Sequence, residues 1–133
     1  MDKHVKDIVI ECTKASHEER ITFPEVVKAL MEAGVERYHA DLLRGENTFY
    51  MPSGESERVI GHAIKSEPAK AFSAVGVDAA VRAIQRQDIR YSEFCARIAA
   101  AGCVGYIVSM AGRRAVYYGR TGETHVEMFP DAQ

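Results

Sequence analysis

An excess of charge of either sign is missing from this sequence: 17 Lys and Arg stand against 19 Asp and Glu, for a formal charge of -2. A broad grip on nucleic acid or on an anionic membrane needs clustered Lys and Arg, so neither is expected as a partner, short of a local basic patch. A long apolar run is missing too. The longest uncharged stretch, Ile98–Gly112, contains Gly102, Gly105 and Ser109, and it falls short of the roughly twenty residues a bilayer span requires. Two elements meeting at a glycine explain it better. Cysteine is scarce and odd in number, with Cys12, Cys95 and Cys103 at no zinc-like spacing. Free, core-packed thiols in a reducing cytoplasm are expected. The opening "MDKHVKDIVIECTK" is charged from its second residue and lacks an export-type apolar core. No G-x-x-x-x-G-K-[ST] or G-x-G-x-x-G links a strand to a helix, and no G-x-S-x-G elbow occurs.

What is present is an ordinary globular composition, 47% hydrophobic and 27% charged over 133 residues, which fits one domain over 1–133 with a core of its own. Within it, Ile21–Glu55 aligns without a gap on Ile89–Glu123 at an offset of 68. Glu25/Glu93, Ala33/Ala101, Gly34/Gly102, Tyr38/Tyr106, Tyr50/Tyr118 and Gly54/Gly122 are among the identical pairs, and Phe23/Tyr91 and Phe49/Tyr117 are near matches. We read this as an internal duplication, with copies over about 2–60 and 68–129.

Each copy has a physical reading. Thr22 and Glu25 form a capping-box pattern with Pro24 in the first helical turn. Val26, Val27, Leu30 and Met31 make an apolar stripe, and Gly34 suits the left-handed position past the helix end. In the second copy Arg90 replaces the capping Thr, so Ser92 is expected to take over and the helix start to slip. After each glycine the period changes to two, with Tyr38, Ala40 and Leu42 on one face and Arg37, His39 and Asp41 on the other. "RGEN", "AGRR", "PSGE" and "RTGE" read as hairpin turns. "THVEMF" reads as a third strand, and "SERVI" holds the matching place in copy one within a connection over Ser56–Glu67. Helical stripes precede each copy over 2–18 and roughly Pro68–Gln87, the latter with a break or kink at Gly76. The expected fold is α+β, with two layers: helices on one face of a mostly antiparallel sheet built from duplicated helix-helix-strand-strand(-strand) units.

"ITFPEVVKALMEAGVERYHADLLRG", "YSEFCARIAAAGCVGY" and "GRTGETHVEMFP" together resemble a family of small bacterial proteins of uncharacterised role, often encoded in prophages, some labelled "phage envelope protein". The resemblance covers nearly the whole chain. It implies a compact two-layer fold and supplies no activity, cofactor or catalytic residues. Without an export or spanning segment, an envelope role is not expected.

Two His-x-acid pairs, His39/Asp41 and His125/Glu127, carry the most chemistry. Residues two apart on a strand share a face, so each pair sets an imidazole beside a carboxylate, and both are expected on the open side of the sheet. There they form either an ordinary solvated face or, if they converge, an acid-base or metal site. No cofactor and no stoichiometric metal is expected, because two ligands on one strand are too few to hold zinc. Arg113 and Arg114 beside Tyr117 and Tyr118 are too thin a basis for stacking on single-stranded nucleic acid. The functional expectation is a non-enzymatic, prophage-derived cytoplasmic accessory protein that binds another protein, with a homodimer open as a further arrangement. The alternative is a small metal-dependent or acid-base enzyme using His39, Asp41, His125 and Glu127.

Overall fold

Four helices cover one face of a six-stranded sheet in the computed structural model, which describes residues 1–130. Residues 131–133, part of the single domain expected from the sequence, lie outside the described residues. The chain runs α1 (Lys3–His17), α2 (Phe23–Glu32), β1 (Arg37–Asp41), β2 (Glu46–Tyr50), β3 (Ser56–Ile60), α3 (Ala74–Gln85), α4 (Tyr91–Ala100), β4 (Cys103–Ser109), β5 (Arg114–Gly119) and β6 (Thr124–Met128). The fold is α+β. Its sheet order is β3-β2-β1-β4-β5-β6 and all five pairings are antiparallel.

Local chemistry explains where the elements begin. Asp2 caps α1 by accepting the Val5 N–H at 2.9 Å. At α2 the Glu25 carboxylate accepts from the Thr22 N–H at 2.9 Å and from the Thr22 hydroxyl at 2.8 Å, and Pro24 sits in the first turn. α4 departs from expectation. It starts at Tyr91 behind Arg90, whose side chain does not cap, and the start has not slipped. Glu19, held at φ 59, supplies the missing acceptor from another part of the chain by taking the Ser92 N–H at 3.3 Å. Ser92 therefore receives help and gives none. α3 is also shorter than the apolar stripe implied: Ser73 caps it through the Gly76 N–H at 3.0 Å. Pro68–Phe72 lies outside the helix, and Gly76 falls in the first turn, where a kink has no meaning.

The two central strands place the rest. β1 and β4 pair with Tyr38 opposite Val108, His39 opposite Ile107 and Ala40 opposite Tyr106. Directly opposed residues in an antiparallel pair share a face, so Tyr38, Ala40, Tyr106 and Val108 all point toward the helices, and all four are buried. The centre of this pairing, His39 opposite Ile107, joins two positions 68 residues apart. α2 and α4, like β3 and β6, begin and end at positions separated by the same 68 residues. The core lies between the layers, with Val9, Leu30, Phe49, Val77, Ile98 and Val108 as its most enclosed side chains.

Candidate functional site

The open face of the sheet carries only one of the two His-x-acid pairs. His39 Nε2 lies 2.6 Å from the Tyr118 hydroxyl, with the two rings stacked at 5.8 Å. Asp41 turns back on its own loop, accepting the Leu43 N–H at 3.1 Å and the Arg44 N–H at 3.0 Å. Its carboxylate is a turn former. Across this face one row of opposed residues runs Arg58, Thr48, His39, Ile107, Val116, Val126. The row is polar on β1–β3 and apolar on β4–β6, where Ile107 and Val126 are 40% and 45% exposed.

His125 and Glu127 are on the other face, which corrects the expectation from the sequence. β6 pairs with β5 so that His125 opposes Tyr117 and Glu127 opposes Ala115, and both of those β5 residues are buried beneath the helices. The physical reason is α3. Arg82 reaches the Glu127 carboxylate at 2.9 Å and Asp78 at 3.3 Å, while His125 Nε2 lies 3.5 Å from Glu127 and 3.6 Å from Asp78. This ion-pair network draws the polar side of β6 inward. The two pairs thus stand on opposite faces and do not converge. Asp78, His125 and Glu127 do bring donor atoms within 4.8 Å of one another, and His125 Nε2 is buried without a hydrogen-bond partner. Arg82 already neutralises both carboxylates of that trio, so its geometry is that of an ion-pair network before that of a metal site.

The most developed concavity is one that reading the sequence did not reveal. A cavity of ≈ 490 Å³ lies between the layers. Its floor is made by strand residues that face the helices, namely Tyr38, Phe49, Tyr106 and Tyr117, with Tyr91 and Phe94 of α4 above. The rings form a connected array: Tyr38 to Phe49 at 5.2 Å, Tyr106 to Tyr117 at 5.3 Å, Tyr38 to Tyr106 at 6.3 Å and Phe94 to Tyr117 at 6.2 Å. The opposed pairs Tyr38/Phe49 and Tyr106/Tyr117 occupy matching places on the two sides of the sheet centre. Phe23, at the start of α2, meets Phe129 edge-to-face at 5.6 Å along the lining. The signal in the sequence that could have pointed here is tyrosine, rather than phenylalanine, at core-facing strand positions. A buried tyrosine carries a polar tip that must be accommodated.

Several polar groups of the cavity are engaged with one another or with the backbone. The Thr13 hydroxyl donates to the Val9 carbonyl at 3.0 Å, and the Asn47 amide donates to Thr13 at 3.4 Å. The Tyr91 and Tyr106 hydroxyls lie 3.0 Å apart. The Tyr117 hydroxyl has no hydrogen-bond partner among the described residues. Burial pushes the pKa of Tyr38, Tyr91, Tyr106 and Tyr117 far above the ordinary phenol value, so all four remain neutral. The thiols behave likewise: Cys12, Cys95 and Cys103 are free and buried, and desolvation raises the latter two to about 11. None of the three is set up as a nucleophile.

Residues 14–127 match the family model described as "Protein of unknown function (DUF1398)". The chain belongs to the DUF1398 family. The matched span takes in both halves of the sheet and the four tyrosines of the cavity. No curated protein matches the chain. Among the described residues, no helix of this DUF1398 member is long and apolar enough to cross a membrane.

Proposed function

We propose that this protein is a binding protein that holds a small, mainly apolar molecule between its two layers. The observation that carries the reading is the ≈ 490 Å³ cavity walled by aromatic rings. Close-packed interiors leave few voids larger than a water molecule, whereas ligand pockets run to about 300–1,000 Å³ with apolar walls and a handful of polar groups. No activated nucleophile lies on these walls, and the one lining carboxylate that belongs to a candidate pair, Glu127, is held by Arg82. Binding is therefore favoured over catalysis. A chemical-shift titration with ethylbenzene tests this. Perturbations should cluster on Tyr38, Phe94, Tyr106 and their neighbours. Ala115→Leu, which projects extra volume from a buried floor position, should weaken binding about tenfold or more while the fold persists. Shifts scattered over the surface, or unchanged affinity in Ala115→Leu, would reject the cavity as the site.

A second reading is supported by the open sheet face. Its Ile107–Val116–Val126 row is a contiguous apolar strip flanked by a polar half, and such exposed strips mark protein contacts. It fits the prophage-derived, cytoplasmic accessory role expected from the sequence, with another protein as the occupant. Ile107→Lys should abolish retention of that partner on immobilised protein, while Arg58→Glu at the polar end of the row retains it. Sedimentation showing a dimer that Ile107→Lys dissociates would assign the strip to a second copy instead.

A further inference from the structure

We infer that the ligand of this cavity is an uncharged ring compound bearing a hydrogen-bond acceptor, seated with that acceptor on the Tyr117 hydroxyl. The inference rests on the cavity reading above and specifies its chemistry. Charge is the first consideration. Only Glu19, Arg90 and Glu127 among the lining residues are charged, and each already faces a counter-charge: Arg90 lies 3.7 Å from Glu19, and Glu127 lies 2.9 Å from Arg82. No unpaired cation is left to receive an anionic ligand, and no unpaired carboxylate to receive a cationic one. A charge carried inside would lose its hydration without compensation.

Polarity is the second. Tyr117 is 6% exposed, lines the cavity, and its hydroxyl meets no protein acceptor among the described residues. The hydroxyl opens on the cavity space, where an acceptor atom of a ligand can take its hydrogen bond. Its proton is held tightly, since burial pushes its pKa far above the ordinary phenol value, so it offers a neutral O–H donor. The complementary ligand atom is a carbonyl, ether or hydroxyl oxygen. Shape is the third. The donor sits within a wall of rings, Tyr106 at 5.3 Å and Phe94 at 6.2 Å from Tyr117. Flat ring systems meet such walls by stacking and edge-to-face contact.

Calorimetric or NMR titration with three probes of similar shape separates these points: acetophenone, with a ring and a carbonyl; ethylbenzene, with no acceptor; and benzoate, with a charge. Wild-type protein should bind acetophenone about tenfold more tightly than ethylbenzene, the equivalent of one net hydrogen bond, and benzoate at least about tenfold more weakly than acetophenone. In Tyr117→Phe the acetophenone preference should fall to near unity with ethylbenzene affinity unchanged. That variant removes only an unpartnered hydroxyl, so its melting temperature should equal or exceed the wild-type value. Equal affinities for acetophenone and ethylbenzene in the wild type would mean that water satisfies Tyr117, and would overturn the inference. A preference that survives in Tyr117→Phe, or benzoate binding more tightly than acetophenone, would overturn it as well. In each of these cases ethylbenzene still enters and the cavity reading stands. If none of the three probes binds, both fall together.

Discussion

Leu30→Ala and Ile98→Ala should each cost about 2–5 kcal/mol of stability, the range for truncating a fully enclosed aliphatic side chain. Both side chains have no solvent exposure, one on α2 and the other at the corresponding place on α4. The loss has two parts: the transfer free energy of the deleted carbons, and the contacts forfeited around the space they leave. For a domain whose total stability is of the order of 5–15 kcal/mol, either change should lower the Tm by roughly 8–20 °C. Urea unfolding measures it directly, as a shift in midpoint at unchanged slope. A loss under about 1 kcal/mol in either variant would mean that the helical stripe does not bear on the core. The two sites also test each other. A large loss at Leu30 with none at Ile98 would show that only one half of the domain is closely packed.

Much of this arrangement could be read from residue pattern, because the signals were local. The capping pattern of Thr22 and Glu25, the glycines at 34 and 102, and the switch from helical to alternating period all act within a few residues. They place α2, α4 and the central strands correctly. Alternation also put Tyr38 and Tyr106 under the helices, where both are buried. The failures have non-local causes. In β6 each face offers one set of residues, His125 with Glu127 or Val126 with Met128, and a one-residue difference in phase exchanges them. Hydrophobicity alone turns the valine inward. Arg82 and Asp78 of α3, more than forty positions away in the chain, reverse that choice by pairing with the polar set. Tyr117 and Tyr118 likewise hide the parity of β5, since one aromatic faces the cavity and the other meets His39 on the open side. The cap of α4 by Glu19 is another contact across the fold. The cavity is the hardest case, because it is a property of the spacing between layers and of no single segment.

Gly102→Ala should be far more damaging than Gly34→Ala, although both glycines follow a helix and both have left-handed φ, 89° and 84°. At Gly34 a new methyl group has room, with Met51 Cε at 3.7 Å as its nearest neighbour. The cost there is backbone strain alone, about 1–2 kcal/mol. At Gly102 the same methyl would sit 2.2 Å from the Ala71 carbonyl oxygen and 2.8 Å from Phe72 Cα. These are backbone atoms, so no rotamer change relieves the clash. The segment around them is also fastened to the end of α4: the Ala69 N–H donates to the Ala99 carbonyl at 3.0 Å, and the Ser73 N–H to the Ala101 carbonyl at 2.7 Å. Those bonds satisfy carbonyls that a helix terminus leaves open. Moving the segment aside to admit a methyl group would stretch both, and Ser73 is the residue that caps α3. Strain, overlap and lost bonds together should bring the cost of Gly102→Ala to roughly 3–5 kcal/mol. Native-state hydrogen exchange adds a local signature: amides in the first turn of α3 should lose protection in Gly102→Ala and keep it in Gly34→Ala. Equal losses of stability in the two variants would show that the approach of Ala71 and Phe72 to α4 is looser than the geometry described here.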